Sequence, residues 1–183
     1  MNWNFTTTNV NVRLPINEQD GNALFALLQQ QHAVDHIPRI ALTDAVQVED
    51  ELRRMTMQFE TREGASWLVT GTYDDQLFAR ITVKKINWMM RAAQLQWELA
   101  PDCDNELMTR LMSEAMNEVL PFLMAELGLH RLEMRLRKGS DKHTELLKKL
   151  CFTYEGCLPS QLEFDGEDIA LDVYSILTSD LKS

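Results

Sequence analysis

The chain has 183 residues, 45% hydrophobic and 25% charged, and its 28 Asp and Glu outweigh 18 Lys and Arg to give a formal net charge of −10. That composition is ordinary for a globular chain and suffices for one domain with a full core. The acidic balance, with a pI near 4.8, has the wrong sign for holding phosphate backbones or anionic membrane by bulk charge.

The opening Met1-Asn2-Trp3-Asn4-Phe5-Thr6 lacks the basic and apolar parts of a secretory signal, and no later stretch is long and apolar enough to span a bilayer. A cytoplasmic location without nucleic-acid or membrane partners is expected. Cys103, Cys151 and Cys157 are an odd, sparse set with no paired metal-ligand spacing, so neither a disulfide framework nor a zinc site follows.

In chain order, Thr6 to Leu14 is β-prone and Pro15 ends it before a helical pattern carrying Leu24, Phe25, Leu27 and Leu28. That helix should stop before Pro38, and Thr43-Asp44 can cap a second one through Val48, Leu52, Met55 and Phe59 to the Gly64 turn. Trp67 to Thr72, Leu77 to Val83 and Ala93 to Leu99 read as a strand meander, the last with Leu95, Trp97 and Leu99 opposing Gln94, Gln96 and Glu98. From Leu107 to Leu127 the apolar and methionine positions keep a helical stripe expected to be core. Pro121 would take the partner of the Asn117 carbonyl and kink that helix, or Gly128 marks its end. His130 to Arg137 alternates as a half-buried strand, and a short helix through Leu146, Leu147 and Leu150 follows. Thr153 to Leu162 and Ile169 to Leu177 close the chain as a hairpin about the Asp165-Gly166 turn. The order β, α, α, three β, α, β, α, β, β defines a mixed sheet with helices on both faces.

Two stretches carry a resemblance. Glu126-Leu127-Gly128-Leu129-His130-Arg131-Leu132-Glu133-Met134 and Leu146-Leu147-Lys148-Lys149-Leu150-Cys151-Phe152-Thr153-Tyr154-Glu155-Gly156 resemble the second half of the GNAT acyl-CoA N-acyltransferases, in their ribosomal-protein N-terminal acetyltransferase (RimJ/RimL-like) branch. Leu14-Pro15-Ile16 before the first helix and the final Val173-Tyr174-Ser175-Ile176-Leu177 support it. The resemblance implies one GNAT-like α/β (α+β) domain over 1–183, with a mostly antiparallel sheet of six to seven strands that splits between the strand ending near Leu99 and the strand from His130. It implies acetyl-CoA as co-substrate, no metal, and direct transfer of acetyl to a primary amine, either a protein N-terminus or a small amine. The protein is expected as a monomer or homodimer.

The chain departs from the family pattern at four places. Ser140 stands where the family has an Asn that contacts the pantetheine arm, His143 where it has Ser, and Cys151 where it has the Gly of "LGF". Where the family holds the CoA pyrophosphate on a glycine-rich loop, this chain has Pro101-Asp102-Cys103-Asp104-Asn105-Glu106-Leu107. Those carboxylates suit a helix N-terminus, yet each within about 4 Å of a phosphate costs on the order of 1 to 4 kcal/mol. By family analogy Trp97, Leu99, Asp102 to Leu107 and Ser140 hold CoA, with backbone N–H groups of Trp97 to Leu99 polarising the thioester. Glu98 is then the candidate base, and Tyr174 and His143 the candidate acids; each has a plainer reading, as solvated strand residue, packed aromatic and surface histidine.

His32 and His36 stand one helical turn apart, but without the accompanying Glu a shared metal is not expected; a helix-end dipole partner or a piece of an acceptor pocket fits His36 better. Arg131, Arg135, Arg137, Lys138 and Lys142 form a basic run, read as a solvated strand edge or a substitute site for the CoA 3′-phosphate. The alternative to an enzyme is a GNAT-fold binding or regulatory module that has lost acyl-CoA catalysis, which the altered loop favours.

Overall fold

A computed structural model of the protein describes residues 1–100 and 105–181. A short hairpin of β1 (Phe5–Thr6) and β2 (Val10–Arg13) precedes α1 (Asn17–Leu28), the single turn α2 (Gln31–Val34) and α3 (Val46–Glu60). The meander β3 (Ala65–Gly71), β4 (Leu77–Asn87) and β5 (Ala92–Leu99) leads to α4 (Asn105–Pro121), then β6 (Arg131–Arg137), α5 (Asp141–Lys149) and the closing hairpin of β7 (Thr153–Phe164) and β8 (Glu167–Leu177).

These strands make one mixed sheet of eight, ordered β1-β2-β3-β4-β5-β6-β8-β7. The extra strand beyond the expected six or seven comes from Thr6 to Leu14, which folds back on itself. Glu114 of α4 accepts hydrogen bonds from the Thr7 hydroxyl (2.8 Å) and the Asn9 amide (2.6 Å), fixing a turn between the two short strands. The first helical pattern is likewise broken, into α1 and α2, before Pro38. The start of α3 differs from the expected Thr43-Asp44 cap: Ala45 takes the N-cap position without a side-chain cap, and Asp44, one residue earlier, accepts the Val46 N–H on Oδ1 at 2.9 Å. At the closing turn both Asp165 and Gly166 have positive φ, 55° and 78°, as a two-residue hairpin turn of primed type requires.

Pro121 acts one turn later than expected. The α-helix runs through it, and the chain passes directly into a π-helical turn, Phe122–Glu126, in which the Leu127 N–H donates to the Phe122 carbonyl. The hydrogen-bond ladder thus shifts by one residue immediately after the proline, and Gly128 at φ 67° ends the segment.

Each face of the sheet has its own apolar layer. Trp67, Ile81, Trp97 and Met134 pack with Met112, Met116 and Leu123, so the methionine stripe is core. On the other face Leu68 meets Leu24, Leu28 and Leu52. Among the described residues no helix is long and apolar enough to cross a membrane.

Candidate active site

β5 and β6 run parallel but pair only from Ala92↔Arg131 to Leu95↔Met134, whereas β6 stays paired with β8 as far as Arg137↔Leu171. The sheet therefore splits beyond Leu95. The Ala100 N–H donates to the Phe78 carbonyl on the β4 side, and backbone groups alternate sides along a strand, so Trp97 and Leu99 direct their backbone N–H and C=O toward the split.

His36 fills the mouth of this split. Its carbonyl accepts the Arg137 N–H at 2.7 Å, and its Nε2 lies 2.7 Å from the Trp97 carbonyl. A carbonyl only accepts, so Nε2 carries the proton, leaving a bare, buried Nδ1 with no partner among the described residues. The ring stacks on His143 with centroids 3.6 Å apart. Trp97 Nε1 donates to His143 Nδ1 at 2.9 Å, which sets that ring as a neutral Nε2–H tautomer. Burial lowers both imidazoles, and with the neighbouring His36 and Lys142 it brings His143 down to about 3. His143 is thus buried, not the surface histidine of the plainer reading.

A cleft of about 740 Å3 opens on the α4 and α5 side of the split, with Leu99, Met108, Leu146, Arg137, Ser140 and His143 among its walls. Lys138 and Lys142 stand at the same cleft, so part of the basic run faces it. Arg131 does not: it is held by Glu133 and Glu155. Ser140 precedes α5 and its hydroxyl donates to the Arg137 carbonyl at 2.7 Å. His32, also at the cleft, is exposed beside Asp35, so it diverges from the enclosed His36.

The other expected residues are placed as follows. Glu98 sits on the opposite face with no exposed surface. Its carboxylate accepts from Arg80 Nε at 2.9 Å and Nη2 at 2.7 Å and from Gln96 Nε2 at 2.9 Å, with Arg39 3.9 Å away. Burial alone would raise this carboxyl, but the Arg80 and Arg39 guanidinium groups hold it below the ordinary carboxylate range. Instead of an open base, Glu98 is one member of a sealed cluster in which Arg80 also binds Glu51 at 2.7 Å. Tyr174 is buried, its ring near Tyr154 and its hydroxyl 3.4 Å from Thr144 Oγ1; it is a packed aromatic outside the cleft. The Trp97 side chain is fully buried in the core. Glu106 and Leu107 are exposed on the first turn of α4, and the Asn105 backbone begins that helix. Asp102, Cys103 and Asp104 lie outside the described residues.

Residues 10–153 match the sequence model of the acetyltransferase (GNAT) domain. An acyltransferase scaffold is what the split sheet and its flanking cleft define, and the chain belongs to the GNAT acetyltransferase family. A search of curated proteins finds no match. Among solved structures, the chain is similar to a ribosomal-protein alanine acetyltransferase from Vibrio fischeri (TM-score 0.81, 16% identity, covering 98% of this chain and 99% of that one). It is also similar to a spermidine N-acetyltransferase from Vibrio cholerae solved with CoA and spermine (TM-score 0.80, 17% identity, 95% and 98% covered). A GNAT-family acetyltransferase from Bacillus anthracis has the same fold (TM-score 0.80, 16% identity, 95% and 98% covered). At these identities the likeness is one of fold.

Proposed function

We propose that the protein is a single-domain, cytoplasmic N-acetyltransferase that passes acetyl from acetyl-CoA directly to a primary amine. The observation that carries this reading is the split of β5 from β6 beside the 740 Å3 cleft. The cleft's apolar wall of Leu99, Met108 and Leu146 suits the pantetheine arm, and Arg137, Lys138 and Lys142 supply positive charge for phosphates. Acetyl-CoA supplies the activated acetyl group: the amine lone pair forms the C–N bond, the C–S bond breaks with its electron pair on sulfur, and the amine's proton neutralises the thiolate. Backbone N–H groups of Trp97 and Leu99, turned toward the split, are suited to stabilise the negative oxygen. Of the side chains weighed for proton transfer, His143 alone lines the cleft. An acceptor at a ribosomal-protein N-terminus, as in the RimJ/RimL-like branch, and one on a small amine are both within this reading.

One observation favours a module without catalysis: the His36 ring occupies the Trp97 carbonyl inside the split. Thermal denaturation with acetyl-CoA separates the two. A ligand at a hundred times its dissociation constant adds about 2.7 kcal/mol of stability, whereas an unchanged melting curve at millimolar acetyl-CoA leaves the module.

A further inference from the structure

A second, smaller cavity of about 240 Å3 meets the split from the other face of the sheet, with Ile37, Pro38, Lys84, Lys85, Gln96 and Arg135 in its lining. Period-two alternation puts Lys84, Gln94, Gln96 and Arg135 on the face away from α4 and α5. The two cavities are therefore back to back, and the consecutive residues His36, Ile37 and Pro38 separate them. In a direct transfer whose donor occupies the large cleft, the acceptor amine has this cavity as its opposite approach.

Its charge is one-sided. No carboxylate lines it among the described residues. The half-buried Lys84 ammonium donates to the neutral Gln96 amide, and the exposed Lys85 ammonium has no partner among the described residues. Arg135 gives its Nε to Glu133 at 2.6 Å, and its two terminal nitrogens have no partner among the described residues. The carboxylates bonded to its lining residues are engaged elsewhere as well: Glu133, bonded to Arg135, is shared with Arg131, and Glu98, which accepts from Gln96, is held by Arg80.

We propose that this cavity selects an acceptor whose primary amine is carried on a skeleton bearing a carboxylate, with Arg135 and Lys84 as the specificity-determining residues; the proposal rests on the acetyltransferase reading. A polyamine brings only positive charge to three cations and is rejected, despite the acidic net charge of the whole chain. The same cations disfavour the ammonium form of the incoming amine and so favour the free base that attacks. A free acidic amino acid and an acidic N-terminal residue of a polypeptide present the same chemistry, and the small volume admits only the terminal residue of the latter.

The test uses the full chain with free aspartate, a tripeptide beginning with aspartate, the corresponding side-chain and terminal amides, and spermidine. CoA release gives kcat/KM for each, and calorimetry in the presence of CoA gives binding. The carboxylate forms exceed their amides by tenfold or more, and spermidine is the poorest acceptor. Lys84→Met and Arg135→Gln each raise the acceptor KM about tenfold and erase the preference, while kcat, the acetyl-CoA KM and the melting temperature stay close to the parent. The free amino acid and the tripeptide identify which source is used. Equal use of acids and amides, preference for spermidine, or a preference that survives both substitutions overturns the proposal. Binding of the carboxylate forms that depends on Lys84 and Arg135 but without any CoA release keeps the pocket and removes the transferase reading; absence of both removes the two together.

Discussion

The imidazoles of His36 and His143 lie face to face, centroids 3.6 Å apart and planes inclined by 12°, and join the N-terminal helical region to α5 across the split in the sheet. Both are neutral and each has one ring nitrogen tied to Trp97: His36 Nε2 donates to the backbone carbonyl, and His143 Nδ1 accepts from the indole. Two positive charges at that distance would repel by several kcal/mol at a protein-surface dielectric. The stack therefore makes folding sensitive to mild acid.

The pH dependence of stability has a definite sign. For His143 the folded value near 3 lies below the unfolded value of 6.5, so between them the unfolded chain binds more protons. Its contribution is complete above about 6.5 and is lost as the pH falls toward 3. His36 is lowered in the same direction. Glu51 and Glu98, held below the ordinary carboxylate value of 4.5, act only in more acidic solution. Between pH 6 and 5 stability should thus fall by up to about 1.4 kcal/mol per pH unit through His143, with His36 adding in the same direction. His143→Asn keeps an acceptor for Trp97 Nε1 and should remove one share of that slope, read from urea denaturation at several pH values.

His36→Ala should open the split. It frees the Trp97 carbonyl and removes a ring that is only 2% exposed, at a cost of about 2 kcal/mol from lost packing and one lost hydrogen bond. Acetyl-CoA affinity should rise as stability falls, because the pantetheine arm then meets an open strand edge. Calorimetry on the variant checks this, and an unchanged or weaker affinity shows that His36 does not obstruct the donor.

Glu98→Gln should act on folding more than on chemistry. Arg80 is enclosed and keeps only Glu51 as a full ionic partner, so the variant should lose about 3 kcal/mol. Turnover per folded molecule should change less than about threefold; a hundredfold loss with unchanged acetyl-CoA affinity would make Glu98 the base after all.

Cys151→Gly should stabilise the protein. Cys151 has φ 65°, a left-handed conformation that costs a residue with a Cβ about 1 kcal/mol and glycine little. After the entropy glycine brings to the unfolded chain, a gain of about 0.5 kcal/mol remains, measurable as a shift in the denaturation midpoint. A glycine, which the family resemblance places at this position, would adopt that conformation without the Cβ penalty, so Cys151 is a strained departure.

Local patterning determined the element order, the core face of the long helix, the turn at Asp165-Gly166 and the two GNAT-like stretches, because each depends on residues close in sequence. The split at Leu95 could be expected only through the family resemblance. What the tertiary structure alone decided concerns pairs far apart in the chain. Glu98 reads as a solvated strand carboxylate until Arg80 of the neighbouring strand and Glu51 and Arg39 from the helical region close over it. His36 reads as a helix-end histidine, since nothing near it in sequence says that its ring will meet Trp97 and His143, 61 and 107 residues away. Lys84 and Arg135 lie on strands separated by β5, and only the open end of the sheet brings them to one cavity. Periodicity fixes which face a side chain takes; which charges meet there is set by strand order and by where the sheet comes apart.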